Sequence, residues 1–345
     1  MKVAELIAPH QFRLVETPEG EPGPGEVLVR VDAVGICGSD LHSYAEGAVG
    51  DTPCEYPQVL GHEPAGTVVR AGAGAAGWAR GDRAALEPAL YCYHCEFCRA
   101  GHHNVCQHIR FLSMPGDPGF FREYAVLPAG NLLAIPAHLG AAEATLVEPL
   151  AVVLHSLRFA DIHPGETAVV FGAGPIGLLT VICLKLAGAG RVWSFEPVAA
   201  RREMARQAGA DAAIDPTAAD PAREILHDTG RRGVDVAIDC ATKGDTVNQC
   251  LHAVRNAGRV VITGIPSEVH VPVEFSPLRR KELAVYTVRR SNHESARALE
   301  LLLGNIPRFA ALITHTRPLE RIGEAFGMVE QRSHGAGKVV IRPGE

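Results

Sequence analysis

The chain has 345 residues, 47% of them hydrophobic, with 33 Lys and Arg against 39 Asp and Glu for a net charge of −6. Such length and apolar content suit two domains or one large one and exclude a disordered, collagen-like or coiled-coil chain. The acidic balance argues against general nucleic-acid binding, which needs clustered Lys and Arg, and nine cysteines are too few for a disulfide scaffold of this size.

The opening MKVAELIAPHQ has no basic stretch followed by a long apolar one. It reads as a first strand, so a cytoplasmic protein is expected. EVLVRVDAV (26–34) alternates as a strand after the turn-rich PEGEPGPGE, and GTVVRAG (66–72) and GDRAALEPAL (81–90) follow as further strands. Residues 92–106 are dense in Cys and His and read as irregular, and FREYAVLPAGNLLAIP (121–136) as short strands broken by proline. Helical spacing runs over 141–160. Then strands and helices alternate. TAVVF (167–171), RVWSFE (191–196), VDVAIDCA (234–241) and GRVVITGI (258–265) read as strands, PIGLLTVICLKLAG (175–188) and VAARREMARQAG (198–209) as helices. That alternation predicts an α/β region with a parallel sheet and helices on both faces. One helix, SARALELLLGN (295–305), and a strand, KVVIRP (338–343), stand out in the last segment. The stretch 167–184 is uncharged and long enough to raise the question of a membrane span. Gly172, Gly174, Pro175 and Gly177 interrupt it, so it reads as a buried strand, turn and helix, and no membrane association is expected.

Gly172-Ala173-Gly174-Pro175-Ile176-Gly177 is a G-x-G-x-x-G that directly follows a strand and opens a helix. In that context Gly172 permits the turn, Gly174 lets a pyrophosphate approach the backbone, and Gly177 lets helix and strand pack closely. The helix N-terminus, where Pro175 and Ile176 stand, offers unpaired N–H groups to phosphate. Glu196, at the end of the next strand, stands where an acid binds the adenosine ribose. A negative charge there favours NAD over NADP, although Arg201 and Arg202 just downstream are able to meet a 2′-phosphate.

Cys92, Cys95, Cys98 and Cys106 give four thiolates in one short irregular segment, the donor set of a closed structural zinc site. A four-cysteine iron–sulfur cluster is the chemical competitor, but no other motif suggests electron transfer. His94, His102, His103 and His108 read as exposed loop residues, and Cys183, Cys240 and Cys250 as core thiols. A second set is dispersed: Cys37 in GICGSDLH, His62 and Glu63 in VLGHEPAG, and Glu148 in LVEPLAV. Spacing alone does not bring these together.

GICGSDLH, VLGHEPAGTV, GDRAALEP, the four-cysteine segment, VVFGAGPIGLL and ITHTRPLERIGEAF, in this order, resemble the zinc-dependent medium-chain alcohol dehydrogenases. VEPLAVVLHSLR points to their polyol (sorbitol) and threonine dehydrogenase branch. The resemblance covers almost the whole chain. It implies a GroES-like, β-rich catalytic domain built from 1–150, with a zinc lobe at about 88–110, and 287–345, with a Rossmann doubly wound NAD-binding domain at 151–286 between them. It implies two zinc ions per chain, one structural and one catalytic. The catalytic ion would be held by Cys37 and His62 with Glu63 or Glu148, and Asp40 would orient His62. Adjacent residues on a regular strand face opposite ways, so His62 and Glu63 share an ion only if the backbone bends at Gly61 or Pro64. Ser39 and His42 match the proton-relay positions, with Glu148 as the other route. Arg289, or its neighbour Arg290, matches a substrate-facing arginine.

The implied reaction is oxidation of a secondary alcohol of a polyol, sugar or related hydroxy compound to a ketone, with hydride transfer to NAD. Threonine 3-dehydrogenase-type oxidation of an amino acid and a non-catalytic NAD- and zinc-binding protein are the alternatives. The only partners expected are a small-molecule substrate and further copies of the chain, in a dimer or tetramer. TVRRSNHES (287–295) departs from the sorbitol dehydrogenase pattern, which weakens sorbitol itself as the substrate.

Overall fold

The computed structural model describes residues 1–344. The chain forms two compact units, one made of Met1–Ala151 with Ser291–Glu345 and the other of Val152–Arg290.

The first unit is built on a seven-stranded sheet. Its strands run in the order Leu132–Ala134, Arg83–Leu86, Glu63–Ala71, Glu26–Gly35, Lys338–Arg342, Ile313–Pro318, and Tyr124–Pro128 also pairs with Glu26–Gly35. Glu26–Gly35 forms because EVLVRVDAV supplies four β-branched valines at 27, 29, 31 and 34, and Val27, Leu28, Val29, Val31, Ala33 and Val34 are all fully buried. It pairs antiparallel with Glu63–Ala71, with Gly35 opposite Glu63. The last strand, Lys338–Arg342, returns from the far end of the chain to pair with Gly35 and Val34. Residues remote in sequence therefore meet beside Glu63. Phe120, Phe121 and Phe326 fill the core on one side of this sheet.

The helix expected over 141–160 is two helices, Ala141–Ala144 and Val147–Ala160. Pro149 explains the break. A proline inside a continuous helix would lose a hydrogen bond and clash with the carbonyl four residues before it, here that of Thr145. Restarting at Val147 puts Pro149 in a first turn, where no N–H partner is needed, and sets Glu148 beside it.

The second unit is a six-stranded parallel sheet in the order Ala212–Ile214, Arg191–Phe195, Thr167–Phe171, Val234–Asp239, Val254–Ile262, Ala284–Thr287. In chain order this is 3-2-1-4-5-6, the doubly wound arrangement that binds dinucleotides where the order reverses, at the strands' carboxyl ends. The helix Pro175–Leu186 is buried at every position from Gly177 to Leu184, which is why the stretch carries no charge. No helix among the described residues is long and apolar enough to cross a membrane.

Candidate active site

Cys37 closes the turn after the strand Glu26–Gly35 and stands just before the helix Gly38–Glu46. Its N–H donates to Oδ2 of Asp40 at 3.1 Å, which fixes the first helical turn. Oδ1 of Asp40 accepts from the N–H of Gly61 at 3.0 Å and from Oγ of Ser113 at 3.1 Å, and lies 3.2 Å from Nδ1 of His62. Burial alone would raise this carboxyl. The charge of His62 and the N–H groups of Cys37 and Gly61 outweigh burial and hold it below the usual aspartate value. Gly61 has φ +92°, and the strand Glu63–Ala71 begins only at Glu63. His62 thus lies off the regular strand, and strand alternation does not separate it from Glu63. The donor atoms of Cys37, His62 and Glu63 all lie within 4.8 Å of one another. A thiol, an imidazole and a carboxylate at that separation fit a zinc ion with an open position. Glu148 is not in that group, so of the two candidate glutamates only Glu63 stands with the cysteine and histidine.

Sequence reasoning missed Lys338. Its ammonium pairs with Oε2 of Glu63 and donates to the carbonyl of Ile36 at 3.0 Å. Both side chains are 1% exposed, so one glutamate oxygen is neutralised out of solvent, and the other is the donor that a metal would use. Nothing in the sequence flagged this lysine, because a Lys at the start of a strand ordinarily reads as a solvated strand end. Glu148 and Glu87 line, with Pro64, Leu133 and Ser295, a cavity of about 20 Å³, room for a single water. Burial, reinforced by the negative charges of Glu63 and Glu87 against the counter-effect of His62, pushes the carboxyl of Glu148 up to about 8.

Oγ of Ser39 lies 3.4 Å from Nε2 of His62. His42 sits one turn further along the same helix, with Nδ1 3.1 Å from Oε1 of Glu46. The ring of Phe111 packs against His62, with centroids 5.3 Å apart. Arg289 is exposed just before the chain re-enters the first unit at Ser291.

The second cysteine set is compact. Sγ of Cys106 lies 3.4 Å from that of Cys92 and 3.9 Å from that of Cys95, and Cys92 lies 3.9 Å from Cys98. A tetrahedral zinc site with metal–sulfur bonds of ~2.3 Å has edges of roughly 3.8 Å. A four-iron cluster, with its ions spread between the thiolates, would hold the sulfurs further apart, so the spacing favours a single ion. The N–H groups of Cys95, Cys98 and His108 point at these sulfurs at 3.3–3.5 Å, as a thiolate set requires. Cys183 and Cys240 are different. Burial pushes both thiols up to about 12, so they are inert.

In the second unit Gly172 has φ +90°, and a Cβ at Gly177 would collide with the carbonyl oxygen of Gly172. A Cβ at Gly174 would meet nothing within 4 Å, so this position is open to a pyrophosphate. Pro175 and Ile176 open the helix behind it. Glu196 is 4% exposed, and its carboxylate accepts from the N–H groups of Ala173 at 2.8 Å and Val198 at 3.0 Å. It therefore closes the glycine turn as well as placing a negative charge at its edge. Arg202 is committed to Asp215 at 2.9 Å and to the carbonyls of Glu196 and Pro197. Arg201, beside it, lies in the first turn of the helix Ala199–Ala208.

An alcohol dehydrogenase GroES-like domain matches residues 23–137, and a zinc-binding dehydrogenase domain matches residues 175–304. Sorbitol dehydrogenase of Bacillus subtilis (strain 168) is 34% identical over 345 residues, covering 99% of this chain and 97% of that protein. L-threonine 3-dehydrogenase of Pyrococcus abyssi is 37% identical over 333 residues, covering 95% and 94%. Among solved structures, a zinc-binding dehydrogenase of Sinorhizobium meliloti 1021 bound to NADP superposes with a TM-score of 0.91 at 32% identity, covering 99% of both chains.

Proposed function

The chain belongs to the zinc-binding dehydrogenases with an alcohol dehydrogenase GroES-like domain, and on that premise we propose that it oxidises a secondary alcohol of a polyol, sugar or related hydroxy compound to the ketone, with NAD as the hydride acceptor. The observation that carries this reading is the convergence of Cys37, His62 and Glu63 beside Ser39. A zinc ion held by these three residues supplies Lewis acidity that lowers the pKa of an alcohol, and the nicotinamide carries the redox chemistry.

The chain's own residues do the rest. Asp40 fixes the His62 ring from its Nδ1 side, so that Nε2 faces the site, a common arrangement for a metal-binding imidazole. Lys338 neutralises Glu63 and holds it in place. Ser39 takes the alcohol proton and His42, one turn away and paired with the half-exposed Glu46, passes it to solvent. Glu148 is the alternative proton acceptor, and Arg289 binds substrate hydroxyls. Cys92, Cys95, Cys98 and Cys106 hold a second, structural zinc. Gly172, Gly174 and Gly177 cradle the dinucleotide. Glu196 favours NAD, because a buried carboxylate repels a 2′-phosphate; Arg201, in the first turn of the helix Ala199–Ala208, follows it on the cofactor side.

A second reading, oxidation of a β-hydroxy amino acid, is favoured by the similarity to L-threonine 3-dehydrogenase. The intact donor group argues against a non-catalytic protein. Nine free thiols suit a reducing, cytoplasmic compartment. The test is a panel of polyols, sugars, 2,3-butanediol and L-threonine, with NAD and NADP followed by absorbance and with metal content measured. Two zinc ions per chain and NAD reduction with a polyol or sugar are expected. No turnover of any substrate by fully zinc-loaded protein would overturn the reading, and turnover of threonine alone would select the second one.

A further inference from the structure

Between Arg289 and the helix Ser295–Leu303 the chain is fastened to the four-cysteine lobe, most directly by the side chain of Asn292. Oδ1 of Asn292 accepts from the N–H of His103 at 3.0 Å, and its Nδ2 donates to the carbonyl of Gly101 at 2.8 Å. Gly101 and His103 both lie between the lobe residues Cys98 and Cys106. The amide uses its acceptor and its donor at once, so its orientation is determined. Next to it, Nε2 of His293 lies 2.7 Å from Nδ1 of His103, with ring centroids 4.3 Å apart. On the far side Oγ of Ser295 donates to the carboxylate of Glu87, and Ser291 is buried. The backbone here is not relaxed. Arg290 and His293 have φ +55° and +71°, values that non-glycine residues rarely adopt unless their surroundings hold them.

These bonds exist only while the lobe is folded, and they anchor the chain two and three residues after Arg290 and Arg289. We propose that the four-cysteine lobe is a clamp that positions the substrate-binding arginine, with Asn292 as the positioning residue. The proposal rests on the assignment of Arg289 to substrate made above. It gives the lobe a part in substrate affinity, beyond holding its own loop together. An amide matters here, because aspartate keeps the bond from His103 but cannot donate to Gly101.

The test compares the zinc-loaded full chain with Asn292→Ala and Asn292→Asp. Releasing the clamp should raise KM for the alcohol by about tenfold in Asn292→Ala while kcat and KM for NAD change by less than about twofold, with Asn292→Asp in between. A readout that needs no substrate is trypsin cleavage after Arg289 and Arg290. Freed from the lobe, this segment should be cut about tenfold faster than in the parent protein, because local opening exposes it. Cys106→Ser, which takes a ligand from the lobe, should give the same faster cleavage. An unchanged alcohol KM and an unchanged cleavage rate, even with a lower Tm, would reduce Asn292 to a structural bond and overturn the proposal. If the parent protein turns over no alcohol, the functional reading fails by itself, and the cleavage rates still decide whether the clamp exists.

Discussion

Lys338 and Glu63 form an ion pair with both partners 1% exposed. Removing one partner of such a pair strands a buried charge at a cost of about 3–5 kcal/mol, whereas removing both costs far less. Lys338→Met is therefore expected to lose about that much stability in urea unfolding of the zinc-loaded protein, and Glu63→Gln/Lys338→Met to lose less than the sum of the two single changes. An additive double variant would show that the pair does not act as a unit. A second residue-scale outcome concerns Gly177. Its Cβ would collide with the carbonyl of Gly172, so Gly177→Ala should push the turn open and abolish NADH binding by calorimetry; binding within twofold of the parent would contradict the role given to this turn. The contrast between these sites explains what the sequence makes legible. Cys37, His62, the four-cysteine lobe and the glycine turn can be read because their chemistry is packed into short local motifs. Lys338 cannot, because only the pairing of the last strand with Gly35 brings it to Glu63.

At the scale of elements, Asp235 ties two neighbouring strands of the parallel sheet at their starting ends. Its Oδ2 accepts from the N–H and Oγ1 of Thr167, at 2.9 and 2.8 Å. Its Oδ1 accepts from Arg232 at 2.6 Å and Arg255 at 2.7 Å. Burial alone would raise the carboxyl, but Arg232, Thr167 and Arg255 together hold it far below the usual range. The folded value lies below the unfolded one of about 3.9. The pair therefore stabilises the fold fully above that pH, and the stabilisation fades as pH falls through the folded value. Asp235→Asn should melt below the parent at neutral pH, and the gap in Tm should narrow below about pH 4. A gap that stays constant with pH would mean that the contribution is packing and not charge. Strands and helices of this unit were legible because their apolar runs are short and bounded by glycines. Over 141–160 the spacing predicts one helix where the chain forms two, because apolar spacing carries through Thr145 although Pro149 forbids the backbone to follow.

For the whole molecule, the texture of the sequence changes along the chain from strand-rich to alternating strands and helices, and the last segment joins the first unit through the pairing of Lys338–Arg342 with Glu26–Gly35. What local sequence does not reveal is which sheet edge stays open. In the parallel sheet, the strand Ala284–Thr287 is last in order, paired on one side only. The stretch around it concentrates the exposed apolar side chains. Ile265, Val269, Val273, Phe275, Val285 and Tyr286 are six of the eleven large hydrophobics exposed among the described residues, and Phe275 is 73% exposed. An edge strand with free N–H and C=O groups invites pairing with another chain unless charge or proline blunts it, and AVYT carries neither. The same edge on two chains can pair antiparallel and extend both sheets, which is the pairing that the proposed dimer or tetramer would use. The zinc-loaded protein is expected to run as a dimer or tetramer in light scattering at micromolar concentration. Val285→Lys with Phe275→Lys should shift it to the monomer with its circular dichroism unchanged. A parent protein that is monomeric under these conditions would leave the edge strand unpartnered and refute the assignment, and a double variant that keeps the parent mass would move the interface elsewhere.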